Sequence, residues 1–296
     1  MAKADTLVVM DPTRPNTFER LGRVPPGIFI GGIILLIHAA SALTCPLWMP
    51  YTYNEIGTGV PFSRPSATHL LGTDQLGRDM FSRVVYGGRI DLGVALLGTA
   101  LGVGLGTIIG LLAAYIGGWF DEVIMRFFEA LISIPLLVLA LLIIAAAGPD
   151  LTNNLLFLAV LIGFVYVPRV ARMMRATAIE IVTRDFVAIA RTRGESAWSI
   201  MWRELLPNAT STLLVEFAVR GGAAVVVIGS LGFLGFGARP PIPEWGLMIS
   251  ENRDVIVAAP HTVVAPGIAV ASLVIGLNLF SEGLARILGR SVQRGG

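Results

Sequence analysis

The sequence predicts an all-α membrane protein with six transmembrane helices. Of its 296 residues, 54% are hydrophobic and only 14% are charged, and the mean hydropathy is +0.75. This composition is far from that of soluble domains. The apolar residues fall into six runs, each long enough to cross a hydrocarbon core of about 30 Å. The net charge of +2 is spread between these runs, which indicates contact with lipid headgroups and excludes nucleic acid as a partner.

Residue usage excludes several kinds of site. The single cysteine, Cys45, excludes an intrachain disulfide and a multi-cysteine metal site, and we expect it to be buried in the first span. The only lysine is Lys3, whereas a phosphate-binding loop needs a lysine in its G-x-x-x-x-G-K-[ST] pattern. If ATP drives the process, another polypeptide must therefore hydrolyse it.

The three histidines favour structural roles. His38 lies inside the first apolar run, where a lone histidine indicates hydrogen-bonded packing more than a proton relay. His69 and His261 fall near interfaces and have no acidic or cysteine partner at ligand spacing. We predict no metal site, no cofactor and no catalytic dyad or triad in this chain.

The first third of the chain is predicted as a tail, a span and a polar loop. Residues 1–26 form a polar, proline-containing tail, and residues 27–49 form the first span. Residues 50–89 are hydrophilic and are predicted to contain an amphipathic helix at the membrane surface.

The prediction of this amphipathic helix rests on the spacing of its apolar and charged residues. Thr73 is a possible helix cap, and three apolar side chains recur every four residues, at Leu76, Met80 and Val84. Two opposite-charge pairs have i,i+4 spacing, Asp74 with Arg78 and Asp79 with Arg83. Each such pair stabilises a helix by only about 0.3–0.5 kcal/mol, so stability alone hardly requires them.

Small residues and a proline mark the second and third spans, at about 90–116 and 123–147. The second span carries small residues at four-residue intervals, which predicts a ridge for close helix packing. These residues are Gly98, Gly102, Gly106, Gly110 and Ala114. Pro135 is predicted to kink or open the third span.

The remaining spans are predicted at about 155–174, 209–236 and 261–284. The fourth is entered through residues 150–154 and ends among arginines. Near the start of the fifth, Glu216 and Arg220 have the spacing of an ion pair, and either a structural or a pathway-lining role fits. Residues 90–288 thus form a five-span core, followed by a tail at 289–296.

Between the fourth and fifth spans lies a polar, arginine-rich stretch, residues 184–208. Its pattern predicts helix, hinge, helix, with Gly194 at the hinge and Ser196 as the second N-cap. Two apolar faces are expected, one formed by Phe186, Ile189 and Ala190 and the other by Trp198, Met201, Trp202 and Leu205. Pro207 is predicted to end the second helix.

Positive charge orients the chain. With six spans, fifteen lysines and arginines lie on the side of the termini and of residues 184–208, against six on the other side. Basic loops favour the cytoplasm, so we expect both termini and residues 184–208 there.

Two motifs carry a resemblance to a known family. The order L-G-T-D-x-x-G-R-D-x-x-S-R at residues 71–83 resembles the periplasmic segment before the second span in C-type permease subunits of peptide and nickel ABC importers. The matching residues are Gly72, Thr73, Asp74, Gly77, Arg78, Asp79, Ser82 and Arg83. The segments at 231–237, 240–246 and 278–286 are similar to further stretches of the same permeases. Ile228 and Gly232 depart from the family's acidic residue and serine.

The order A-x-A-x-x-x-G followed by Leu-Pro within residues 184–208 resembles the EAA loop of such permeases, which docks on the ATPase subunit. The resemblance implies that the loop's residues couple this chain to an ATPase. They are Phe186, Ala188, Ala190, Arg191, Arg193, Gly194, Ser196, Trp198, Leu206 and Pro207. Ala188 stands where the family name has glutamate, a departure also common in the peptide-permease branch.

The resemblance implies a type I ABC importer permease in a bacterial inner membrane. It implies a heterodimer with a B-type permease, two cytoplasmic ATPases that bind ATP and Mg²⁺, and an external solute-binding protein. The cargo stays open among dipeptides, oligopeptides, glutathione, opine-like conjugates and nickel chelates. The alternatives are a secondary transporter or channel subunit without ATPases, or a membrane scaffold.

Overall fold

A computed structural model of the protein describes residues 25–148 and 154–292. The predicted N-terminal tail up to residue 24, most of the loop at 150–154 and the last four residues lie outside the described residues. The described helices are α1 Pro26–Trp48, α2 Met80–Ile116, α3 Gly118–Ser133, α4 Leu136–Ala147, α5 Leu155–Val182, α6 Asp185–Thr192, α7 Ala197–Ile200, α8 Leu206–Phe233, α9 Trp245–Asn252 and α10 His261–Val292.

The number of helices that are long and apolar enough to span a membrane agrees with the predicted six. Within the described ranges there are five such helical stretches, and α3 with α4 makes a sixth if this bent pair is one span. The two halves of the pair meet at 97°. Pro135 lies at the bend with an extended backbone and caps α4, so the predicted break at Pro135 is confirmed.

The small-residue ridge of α2 packs against α5, the most buried span. A Cβ added to Gly98 or Gly102 would lie within 3 Å of carbonyl oxygens on α5, and one added to Gly110 would lie 2.5 Å from the Ala171 oxygen. The predicted packing ridge is confirmed. The two helices approach so closely because the glycines of α2 present no side chains to α5.

Helix α1 lies at the edge of the bundle against α10. A Cβ on Gly31 would lie 2.6 Å from the Gly276 oxygen, so this contact is also close. His38 Nε2 lies 2.9 Å from Ser272 Oγ, and its ring meets that of Trp245 edge-on. Cys45 is buried and free. The packing role predicted for His38 and the burial predicted for Cys45 are confirmed.

The predicted amphipathic helix within residues 50–89 is wrong over residues 51–79, which form turns. Gly72 and Gly77 have φ of +73° and +69°, and helical backbone is impossible there. Thr73 is not a helix cap: its hydroxyl donates to the Val60 carbonyl over 2.6 Å. Helix α2 begins only at Met80, after Asp79 accepts from the Ser82 amide over 2.8 Å.

The helix–hinge–helix prediction for residues 184–208 is confirmed. Gly194 has φ of +75° between α6 and α7, and the Ser196 side chain accepts from the Ser199 amide. The predicted stop at Pro207 is wrong, because the helix runs unbroken over Ala197–Phe233. A π-helical turn at Met201–Leu205 directly precedes α8, and Pro207 falls at its first positions, where proline is tolerated.

Two predictions from the hydropathy pattern differ from the structure: the end of the fourth span and the stretch between the fifth and sixth spans. Helix α5 continues to Val182, eight residues past the predicted end, and carries its arginines on a regular helix. The stretch between the predicted fifth and sixth spans, residues 237–260, contains a helix, α9, that the sequence pattern did not indicate.

Candidate functional site

Residues 184–208 have one side fixed to the bundle. Five of their side chains are fully buried, together with apolar residues of α2 and α5. The five are Val187, Ala190, Ile200, Met201 and Leu205. Burial of a Leu- or Met-sized side chain contributes about 1.5–3 kcal/mol, so this contact holds α6 and α7 firmly on the ends of α2 and α5.

The other side of the same stretch exposes large apolar residues, which we name the coupling face. It consists of Phe186, Ile189, Trp198 and Trp202, with exposed fractions of 38%, 57%, 55% and 41%. The two tryptophan rings meet edge-on at 5.5 Å. The sequence had grouped Phe186 and Ile189 with Ala190, and Trp198 with Met201. That grouping is wrong, because Ala190 and Met201 are buried against the bundle whereas the other three side chains are exposed.

Charged residues surround the coupling face. Arg191 lies over the Tyr115 ring at 4.7 Å, which anchors α6 to the end of α2. Arg193 pairs with Glu195 at 2.7 Å, and Glu195 also accepts from the Ser199 hydroxyl. Gly194 has open space around its Cβ position, so only its backbone conformation demands glycine. Ala188 and Pro207 are exposed, and Leu206 is half-buried.

At the opposite end of the bundle, the motif at residues 71–83 forms a buried ionic network. Arg78 Nε lies 2.6 Å from Asp74 Oδ2, and Arg83 Nε lies 3.5 Å from the same oxygen. Both arginines also reach Glu251 of α9, at 3.7 and 3.5 Å. The predicted Asp74–Arg78 pair is therefore present, although in a turn. The network joins the loop to a residue 168 positions away in the sequence.

Asp79 has a partner other than the predicted Arg83. Its carboxylate lies 2.9 Å from His69 Nδ1 and also accepts from the Ser82 amide and hydroxyl. His69 thus has an acidic partner ten positions along the chain, which its sequence spacing did not indicate. Gly72 is required by a close approach as well as by φ, because its Cβ would lie 2.4 Å from the Ser63 oxygen.

Glu244, which caps α9, explains one departure from the family pattern. Its carboxylate accepts from the amides of Gly246 and Leu247, at 2.6 and 2.9 Å. A Cβ on Gly232 would lie 1.7 Å from Glu244 Oε2, so a serine at position 232 requires the Glu244 carboxylate to move. Burial raises the pKa of Glu244 to about 7. Ile228, the other departure, is fully buried in the apolar core.

The predicted Glu216–Arg220 ion pair is present in α8, with Arg220 Nε 2.9 Å from Glu216 Oε2. Glu216 is buried, while the Arg220 side chain keeps 22% of its surface exposed. Across from this pair, α5 carries Tyr166 and Arg169, and both interact electrostatically with Arg220. The sequence pattern gave no indication that Tyr166 and Arg169 lie near this ion pair.

No group of three or more histidine, cysteine, aspartate or glutamate side chains suited to a metal ion occurs among the described residues. The two ends of the described bundle differ in chemistry: one carries the exposed apolar coupling face and the other the buried ionic network.

Known proteins resemble this chain over most of its length. The family described as the inner membrane component of binding-protein-dependent transport systems matches residues 106–294. A dipeptide transport system permease protein of Alkalihalophilus pseudofirmus is 36% identical over 280 residues, 95% of this chain and 90% of the relative. A glutathione transport system permease protein of Pectobacterium atrosepticum is 36% identical over 86% of this chain and 83% of the relative. The chain therefore belongs to the family of inner-membrane permease components of binding-protein-dependent transport systems.

Proposed function

We propose that this chain is the C-type permease subunit of an importer that moves peptides or similar small solutes into the cytoplasm by ATP-driven alternating access. The proposal is supported by the dipeptide and glutathione named in two relatives. The observation that carries it is the coupling face, an exposed apolar surface held rigidly on the ends of the spans. On a polar, arginine-rich segment between the predicted spans, such an exposed apolar patch indicates a site of protein association rather than of lipid contact.

The proposed assembly places the other activities in partner subunits. This chain pairs with a B-type permease, two ATPases bind the coupling faces, and an external binding protein delivers cargo. ATP and Mg²⁺ bind to the ATPases, and no cofactor binds here, in keeping with the lack of a lysine outside the N-terminal tail. The charge distribution favours a cytoplasmic coupling face and cytoplasmic termini.

A continuous helix offers a route for force. Trp198 and Trp202 of the coupling face belong to the helical stretch Ala197–Phe233, which continues into the membrane as α8. A displacement of the two tryptophans by an ATPase therefore moves a spanning helix directly. Alternating access then follows when α8 and its counterpart in the partner permease change their packing.

Substitution of Gly194, at the hinge, tests the coupling role. Gly194→Val forces a β-branched residue into a left-handed conformation that costs at least about 1–2 kcal/mol, without a steric clash. Gly194→Asn is the matched control, because asparagine tolerates this conformation. In the reconstituted complex we expect the valine variant to lose most cargo-stimulated ATPase activity and the asparagine variant to keep it.

A second substitution tests docking itself. Trp198→Ala removes a side chain that is 55% exposed and leaves the buried side of the segment intact. We expect the ATPase that docks on this chain to dissociate from the purified complex, since buried tryptophans at interfaces commonly contribute about 2 kcal/mol or more. Full retention of both ATPases, or uptake that proceeds without ATP, would contradict the proposed function.

A further inference from the structure

Two arginines lie on neighbouring membrane-spanning helices, Arg169 on α5 and Arg220 on α8. Charged side chains on such helices are costly unless they face a partner or a water-filled cavity.

The acids nearby do not balance these cations. Glu216 pairs with Arg220 at 2.9 Å. Arg169 has no ion pair within the described part of the chain, and its guanidinium donates only to the Val165 carbonyl, over 3.4 Å. The group formed by Arg169, Arg220 and Glu216 therefore carries one uncompensated positive charge. Arg169 and Arg220 interact electrostatically, so an anion bound near both relieves their repulsion.

A second observation indicates a missing acceptor. Tyr166 is only 1% exposed, and its hydroxyl has no hydrogen-bond partner among the described residues. Leaving a buried polar group unpaired costs about 1–3 kcal/mol. The charges of Arg220 and Arg169 both act on this hydroxyl. Phenol and guanidinium groups all donate hydrogen bonds, and the partner that suits three donors and an excess cation is a carboxylate.

We propose that Arg169, Arg220 and Tyr166 form a binding site for the terminal carboxylate of the cargo between α5 and α8, the α5–α8 carboxylate site. This inference rests on the proposed function, because dipeptides and glutathione both end in a carboxylate. Arg169 supplies the free charge, Tyr166 supplies a hydrogen bond, and Glu216 holds the guanidinium of Arg220 in place. The site binds the end of the peptide backbone, so it accepts cargo with different side chains.

Uptake by the complete reconstituted complex tests the site. The probes are radiolabelled dialanine and glutathione, delivered by the binding protein. The variants are Arg169→Gln and Arg220→Gln, with Arg172→Gln as the matched control, because Arg172 is exposed one turn further along α5. We expect ATP-dependent uptake to fall roughly tenfold or more in the first two variants, the scale of a lost charge-assisted hydrogen bond, and to be unchanged in the control.

A binding measurement separates cargo recognition from a structural role. Dialanine and its C-terminal amide are compared by equilibrium dialysis against the complex without binding protein. We expect the wild type to prefer the carboxylate and Arg169→Gln to lose that preference. Tyr166→Phe is expected to weaken carboxylate binding while leaving stability equal or higher, since it removes an unpaired hydroxyl; a structural hydroxyl gives the opposite result.

The remaining outcomes are distinguishable. If the wild-type complex imports both probes and the glutamine variants do so equally well, the α5–α8 carboxylate site is wrong and the proposed function stands. If Arg169→Gln instead separates the two permease subunits on gel filtration, its partner is a carboxylate of the other permease, and the site is also wrong. A wild type that imports neither probe overturns the proposed function together with this site.

Discussion

Replacement of Gly110 by alanine tests the packing of α2 on α5. The added Cβ would lie 2.5 Å from the Ala171 oxygen, 2.9 Å from Met174 Cβ and 3.0 Å from the Arg175 amide nitrogen. Two of these atoms belong to the backbone and cannot rotate away. To restore a normal separation of about 3.5 Å, the helices must move apart by about 1 Å. Overpacking of this kind costs about 1–3 kcal/mol.

Gly104, on the same helix, provides the control. It is exposed, and a Cβ there would have no neighbour within 4 Å. Both substitutions gain the same helix propensity, up to about 1 kcal/mol, so their difference isolates the packing cost. We expect the free energy of unfolding of Gly110→Ala, measured by SDS titration of the purified complex, to lie about 1–3 kcal/mol below that of Gly104→Ala. Equal values for the two variants would refute the close contact of α2 and α5.

Two further predictions concern the end opposite the coupling face. Asp74→Asn leaves the buried guanidiniums of Arg78 and Arg83 with Glu251 as their one remaining shared carboxylate, and we expect a loss of about 3–5 kcal/mol in unfolding free energy. Arg126→Gln removes an exposed pair, and we expect little change there; a small effect for both substitutions would contradict the buried network. Because the pKa of Glu244 is about 7 in the folded protein and 4.5 ordinarily, the native state holds an extra proton in that interval, so stability falls as the pH rises from about 4.5 to 7. Thermal unfolding of wild type and Glu244→Gln across this interval checks it: we expect the variant to lack this part of the slope, and parallel curves would count against the buried carboxyl.

The predictions that succeeded rest on neighbours in the sequence. The helix–hinge–helix pattern of 184–208 follows from amphipathic spacing and from Gly194, and the ridge on α2 follows from small residues every four positions. The helix predicted around Thr73 failed because i,i+4 spacing also suits a turn that folds Asp74 back on Arg78. The positive φ of Gly77 excludes the helix and is compatible with the turn.

The sequence by itself determined the membrane class, the spans, the break at Pro135 and the family, because hydropathy, proline and contiguous motifs are local properties. Only the tertiary structure decided which side of residues 184–208 faces outward and which charges lack partners. Arg169 and Arg220 lie on different spans, and Arg83 meets Glu251 across 168 positions. Whether a buried charge is compensated depends on such distant contacts, and these exist only once the helices have packed.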